Sequence, residues 1–213
     1  MKRYFHEELI DLKSKLILLG EQSYNITKLA IEGFLDNDMH KINSAYNMDD
    51  DLDDLEMEIS HLCLRYLSLR SPVSSDLKLL IVALKASKDF ERIGDEAHNI
   101  TKKSYGLLTK ESPLKNKINI KEMGELVSQL VKDTIDCFVD EDIDKAFAVL
   151  KNDREINSLD QKNYKFLSSE ESRDEFSDLS RFNLLLISKS LERIGDHSKN
   201  IAKGVIFLLS SKQ

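Results

Sequence analysis

Only two prolines and seven glycines punctuate the 213 residues, and tryptophan is absent. Proline breaks helices, so its scarcity beside abundant Leu, Lys, Glu and Asp favours helix over strand. Cysteine is equally scarce: Cys63 and Cys137 show no Cys-x-x-Cys spacing. That excludes a disulfide scaffold or a zinc finger and leaves two reduced thiols, read as small core hydrophobes of a cytoplasmic protein. No apolar run reaches the roughly 18 residues of a membrane span. Met1-Lys-Arg-Tyr-Phe-His leads into no apolar signal core, so no membrane insertion is expected. Basic charge is in deficit, with 31 Lys and Arg against 38 Asp and Glu, a net charge of −7 and a pI near 5.3. Nucleic acid and anionic membrane surfaces want the opposite sign, whereas a cation ligand suits it. No GxxxxGK[ST] loop accompanies Asp95-Glu96-Ala97-His98, which spells a helicase box by coincidence. Paired Glu-x-x-His segments for a ferritin-like centre and a Ser or Cys nucleophile motif are missing too.

What is present is a repeat. Glu-Arg-Ile-Gly-Asp occupies Glu91–Asp95 and recurs at Glu192–Asp196, 101 residues later (192 against 91). Asn99-Ile100 and Asn200-Ile201 follow the two copies at the same distance. Upstream the match runs at 104 residues (Gly124 against Gly20). It pairs Phe34 with Phe138, Asp38 with Asp142, Asp49 with Asp153, Leu52 with Ile156 and Glu56 with Asp160. The second half has lost three residues between its matched segments, a change that belongs in a loop.

Each half reads as three helices, over about 4–35, 39–69 and 74–108, then 118–139, 142–167 and 174–209. Pro72 ends the second helix, Ser74 or Ser75 serves as the next N-cap, and Pro113 separates the halves. The polar run 168–177 is the matching loop of the second half. Long helices joined by short loops favour antiparallel bundles. The expected fold is all-α: two tandem three-helix bundles over 1–110 and 114–213, six long helices related by a pseudo-two-fold internal repeat.

Glu91 and Asp95, four apart, share a helix face, as do Asp49 and Asp53, with Glu56 one turn further. In an antiparallel hairpin, residues equidistant from the turn lie side by side. Residues 51 and 93, the centres of the two pairs, are equidistant from Pro72, so the pairs stand level. In the second half, centres 155 and 194 are equidistant from a point inside 168–177, which brings Asp153 level with Glu192 and Asp196. Asn157 replaces a carboxylate at the match of Asp53, making the second group weaker in charge, and Asp160 offers a substitute one turn on. Clustered carboxylates repel until protonation or a cation relieves them. Oxygen-rich sets of this kind suit Mg, Mn, Ca, Fe or Zn. The alternative is an acidic solvated face paired with Arg92, Arg193 or nearby lysines, and helix rotations decide between the two. Gly94 and Gly195 each cost about 1 kcal/mol relative to Ala in mid-helix, which points to close approach of a neighbouring helix or site. His98 matches Lys199, so a histidine ligand is not common to both halves and His98 reads as a helix-face residue. Tyr46, Tyr66 and Phe90 read as core.

These residues resemble the PhoU family of phosphate-transport accessory and regulatory proteins over nearly the whole chain. The doubled Glu-Arg-Ile-Gly-Asp with its trailing Asn-Ile carries most of the resemblance. The Phe5…Leu9 opening, Asp49…Asp53, Pro72-Val73…Asp76-Leu77 and Val205-Ile-Phe-Leu add to it, with Lys78 standing where the family commonly has Arg. The resemblance implies two tandem three-helix bundles carrying multinuclear iron or zinc clusters on their surface, with Mg and Mn as open alternatives. The ligands carried over would be Asp49, Asp53, Glu91 and Asp95, then Asp153, Glu192 and Asp196. It also implies a non-enzymatic cytoplasmic adaptor, a homodimer that reaches the inner membrane through its partners. Those partners would be the ATPase subunit of a phosphate ABC transporter and a membrane sensor histidine kinase, with phosphate uptake and starvation signalling restrained. A metal-dependent phosphohydrolase built on the carboxylates, and a metal-free structural bundle, are the rival expectations.

Overall fold

A computed structural model describes residues 2–70, 72–107 and 118–210, with side chains from residue 7 onward and only the backbone of Arg70. Eight helices lie within the described residues. In the first half they are α1 (Lys2–Asp36), α2 (Met39–Tyr46), α3 (Asp49–Arg70) and α4 (Ser74–Ser104). In the second they are α5 (Ile120–Val139), α6 (Ile143–Leu167), α7 (Glu171–Glu175) and α8 (Asp178–Leu209). Six are long, and no strand occurs among the described residues, as the composition and periodicity led us to expect. The third helix, expected to run to about Leu108, ends at Ser104 with Tyr105 as its C-cap, whereas Pro113 and the boundary between the halves lie outside the described residues.

The repeat extends to backbone detail. Asn37 and Glu141, matched at 104, both turn left-handed, with φ of 57° and 50°. Each closes the preceding helix: Asp38 N–H donates to Gly33 O at 2.8 Å and Asp142 N–H to Cys137 O at 3.1 Å. This is the bonding that satisfies orphan carbonyls at a helix C-terminus. Asp38 and Asp142 then cap the next helix, each accepting from two backbone N–H groups, His40 and Lys41 or Asp144 and Lys145.

Three helix boundaries depart from the sequence expectation. The expected helix over 39–69 breaks at Asn47–Met48, whose N–H groups bond back to Asn43 O and Ala45 O. Asp49-Asp50-Asp51 follows as the first turn of α3, where the helix dipole favours anions and interior like-charge crowding is avoided. Asp153-Arg154-Glu155 occupies the matching place, and α6 runs through it unbroken. Val73, not Ser74 or Ser75, is the N-cap of α4, and it makes no side-chain cap bond. The last long helix starts at Asp178 rather than 174. Ser177 caps it by accepting from Ser180 N–H, and the 168–177 run holds the short α7.

One hydrophobic cluster runs through both halves, from Leu16, Ile26 and Phe90 to Met123, Val131 and Ile201. Its spine is α4 packed on α8; α1 and α3 pack on α4 and on each other, α5 and α6 pack on α8 and on each other, and α1 meets α5. The packing is reciprocal, as a two-fold relation demands. A Cβ placed on Gly20 would lie 3.0 Å from Ile135, and one on Gly124 would lie 2.7 Å from Ile31. Those four residues are two matched pairs with partners exchanged. Cys63 and Cys137 are buried and unbridged, and burial pushes their thiols up to about 11 and about 12, so neither is a reactive thiolate. Tyr66 and Phe90 are core, but Tyr46 is exposed and lies against His98, with ring centroids 4.4 Å apart.

Candidate functional site

The acidic pairs meet where α3 packs on α4 and where α6 packs on α8. Gly94 makes the first approach close: a Cβ there would stand 3.0 Å from Leu52 Cδ1. At Gly195 a Cβ would stand 3.3 Å from Asp153 Oδ1. The two mid-helix glycines therefore serve close helix approach beside the carboxylates in both halves.

In the first half, Asp49, Asp53 and Asp95 are within electrostatic reach of one another. Burial, the largest influence, raises the Asp49 carboxyl above its ordinary value; His98 opposes that, and the charges of Asp95 and Asp53 add to it. Glu91 is buried, and burial likewise raises its carboxyl, against a hydrogen bond from Lys88. Lys88 Nζ lies 3.1 Å from Glu91 Oε1, and Arg92 bonds Asp95 Oδ2 at 2.7 Å. Arg92 is half exposed, and it holds these carboxylates from solvent on their own helix.

His98 is not the helix-face residue the sequence suggested. It is buried, with Nδ1 2.9 Å from Asp49 Oδ2, although neither ring nitrogen has an aligned hydrogen-bond partner among the described residues. Burial lowers its pKa despite Asp49, so the imidazole is neutral at pH 7 and its nitrogens are competent metal ligands. Tyr46 covers the ring.

The second half is arranged differently. Lys199 Nζ lies 2.8 Å from Asp153 Oδ2 and also bonds Asp196 in a short contact. Asn157 Nδ2 donates to the same Asp153 oxygen at 3.2 Å. Burial, the largest influence, would lower the Lys199 pKa, but the hydrogen bonds it donates to Asp153 and Asp196, with their charges, outweigh that and raise the value. Glu192 pairs with Lys189 at 2.7 Å. Asp160, a candidate substitute for the carboxylate missing at Asn157, accepts instead from Ser188 Oγ at 2.7 Å and stays out of the group. Arg193, considered as a partner for the local acids, reaches across to Glu96 on α4 at 3.0 Å. His197 lies 2.8 Å from Asp89 beside it.

A metal suits the first set better than the second. Its donors are carboxylate oxygens and an imidazole whose two nitrogens lack an aligned partner; buried carboxylate oxygens without a hydrogen-bond partner occur in both sets, Glu91 Oε2 in the first and Asp153 Oδ1 and Glu192 Oε2 in the second. As the side chains lie, no three such groups among the described residues enclose one position, so binding requires Arg92 and the carboxylates to rotate. In the second set the ammonium of Lys199 already stands between the acids. Residues 98 and 199 were missed at the sequence level as a working pair. Each lies three positions after the final Asp of the repeated pentapeptide, on the same helix face, and that spacing was the available signal.

No helix among the described residues is long and apolar enough to cross a membrane. The family model of the PhoU domain matches the chain twice, over residues 16–104 and 120–205. A relative from Xylella fastidiosa, named phosphate-specific transport system accessory protein PhoU homolog, is 32% identical over 98% of this chain and 88% of its own. A relative of the same name from Pseudomonas aeruginosa is 29% identical over 98% of this chain and 86% of its own. The crystal structure of PhoU from Pseudomonas aeruginosa superposes with a TM-score of 0.92 at 29% identity, covering 97% of this chain and 99% of that one. The chain belongs to the PhoU family.

Proposed function

We propose that this chain is a regulator of phosphate transport, a non-enzymatic adaptor that restrains a phosphate ABC transporter and the signalling of phosphate starvation. The observation that carries this is the whole-chain likeness to Pseudomonas aeruginosa PhoU, together with relatives named as accessory proteins of the phosphate-specific transport system. Its partners are the transporter's ATPase subunit and a membrane sensor histidine kinase. It acts in the cytoplasm as a homodimer and reaches the inner membrane through those partners. Metal, iron or zinc ahead of Mg or Mn, is held by Asp49, Asp53, Glu91 and Asp95; Asp153, Glu192 and Asp196 form the matched set of the second half. A bound metal would neutralise the clustered carboxylates and brace α3 against α4, where Gly94 brings them together.

The site geometry favours an adaptor over a phosphohydrolase. A hydrolase needs a shaped cleft at an open metal position. Among the described residues, one groove runs along α1 and α5 beside Tyr24, Lys28 and Gly124, and another along α4 and α8 beside Ile81, Lys85 and Phe207; neither is lined by the proposed ligands. The test is a pull-down with purified transporter ATPase and sensor-kinase cytoplasmic domain, paired with a starvation reporter in a deletion strain. Binding of at least one partner, with the reporter silent in high phosphate only when the chain is supplied, is expected. Absence of both interactions, with phosphoester turnover that Glu91→Ala abolishes, would replace the adaptor with the hydrolase.

A further inference from the structure

His98 and Lys199 occupy the same place in the two repeats, each reaching from α4 or α8 to the matched aspartate on α3 or α6. Their chemistry is opposite. His98 presents a ring without an aligned partner to Asp49, whose side chain is 26% exposed. Lys199 presents a fixed positive charge to Asp153, whose side chain is 3% exposed. We propose that Lys199 is a built-in counter-cation that takes, in the second half, the place a metal would occupy, so that metal binding is confined to the first half with His98 among its ligands. This rests on the metal clause of the proposed function and adds to it which half is loaded, and why.

Three features support it. Lys199 joins one carboxylate from α6 to one from α8, the bridging that a divalent cation would supply. The bridged Asp153 oxygen also accepts from Asn157, and the other oxygen is turned against Gly195, away from solvent. A metal entering there would have to displace an ammonium from a buried carboxylate, and it would face like-charge repulsion until it did. In the first half, by contrast, the competing cations are Lys88 and Arg92, both half exposed and paired with residues three or fewer positions away, a type of contact that yields readily.

The experiment loads the chelator-stripped full chain with Zn(II), or with Fe(II) under anaerobic conditions. Metal retained after gel filtration is measured by mass spectrometry, and melting is followed with and without Zn(II). Asp49→Asn is expected to lose most of the metal the parent chain retains, and Asp153→Asn to keep it. Lys199→His with Asn157→Asp, which copies the first half into the second, is expected to raise the metal content about twofold. Equal losses in Asp49→Asn and Asp153→Asn, or no gain in the copied variant, would overturn the proposal. Should the copied variant fail to fold, the two aspartate variants decide alone. A parent chain that retains no metal sinks the metal clause of the proposed function. The counter-cation role then rests on melting: Zn(II) must stabilise the copied variant and not the parent, and the absence of that difference overturns it.

Discussion

The two carboxylate groups of this chain descend from one repeated segment and stand at equivalent places, yet they balance their charge in different ways. In the first, Asp49 stays half-buried beside a neutral imidazole, and the compensating Arg92 comes from solvent. In the second, Asp153 is drawn inside the α6–α8 contact, and Lys199 goes with it. The residue beside the glycine marks the divergence: Gly94 abuts the leucine of α3, whereas Gly195 abuts the aspartate of α6. A duplicated motif can thus keep its backbone while one copy holds a permanent internal cation and the other leaves its acids to an exchangeable one. Charge burial supplies the reason, because a carboxylate as enclosed as Asp153 leans far more on a neighbouring cation than the more exposed Asp49 does.

The largest difference between the halves should come from removing the cations. Lys199→Ala leaves Asp153 buried and uncompensated and should cost about 2 kcal/mol in urea unfolding followed by circular dichroism. Arg92→Ala removes a half-exposed surface pair and should cost under about 1 kcal/mol. Equal costs would erase the contrast. Next in size, Asn157→Asp replaces the donor to Asp153 with a like charge and should cost about 1 kcal/mol. Asp53→Asn, at the exposed matching position, should stay within about 0.5 kcal/mol.

Smaller effects concern pH. In metal-free buffer the His98 ring should titrate below the ordinary 6.5, a midpoint that NMR of the ring reports directly. A histidine held low in the folded state contributes stability that is fully present above about 6.5 and fades as pH falls toward its folded value. His98→Gln should therefore flatten stability between neutral pH and pH 5, whereas no group facing Asp153 repeats that behaviour. A ring that titrates at or above 6.5 would remove this distinction. Smallest of all, the raised Glu91 carboxyl opposes folding above its folded value and not below 4.5. Glu91→Gln should stabilise the chain slightly at neutral pH, with the gain gone at pH 4, and thermal melts at the two pH values measure it.

Much of the fold was legible because its signals are local. Scarce proline, helical periodicity and the two prolines located long helices and most of their ends, while the capping by Asp38 and Asp142 emerged with the structure. The break at Asn47–Met48 escaped notice because the surrounding pattern is helical on both sides. Three consecutive aspartates prefer a helix start, and only packing of Ile42 and Ala45 on α1 makes a separate α2 worthwhile. In the site, the equal distances from Pro72 placed the acidic pairs level along α3 and α4, and in the structure Asp49 lies within electrostatic reach of Asp53 and Asp95. The roles of His98, Lys199 and Asp160 were not legible, since each depends on which way a side chain turns between helices.

The sequence by itself determined the duplication, the helical class, the hairpin turns and the level at which each acid sits along its helix. Those are properties of spacing along the chain, which a helix converts to height at a constant rise per residue. Tertiary structure decided the rest: that Asp153 turns inward, that Lys199 meets it, and that His98 waits beside Asp49 without an aligned partner. Rotation about the helix axis is set by how neighbouring side chains interlock, with Leu52 against Gly94 in one half and Asp153 against Gly195 in the other. Spacing carries no record of that rotation.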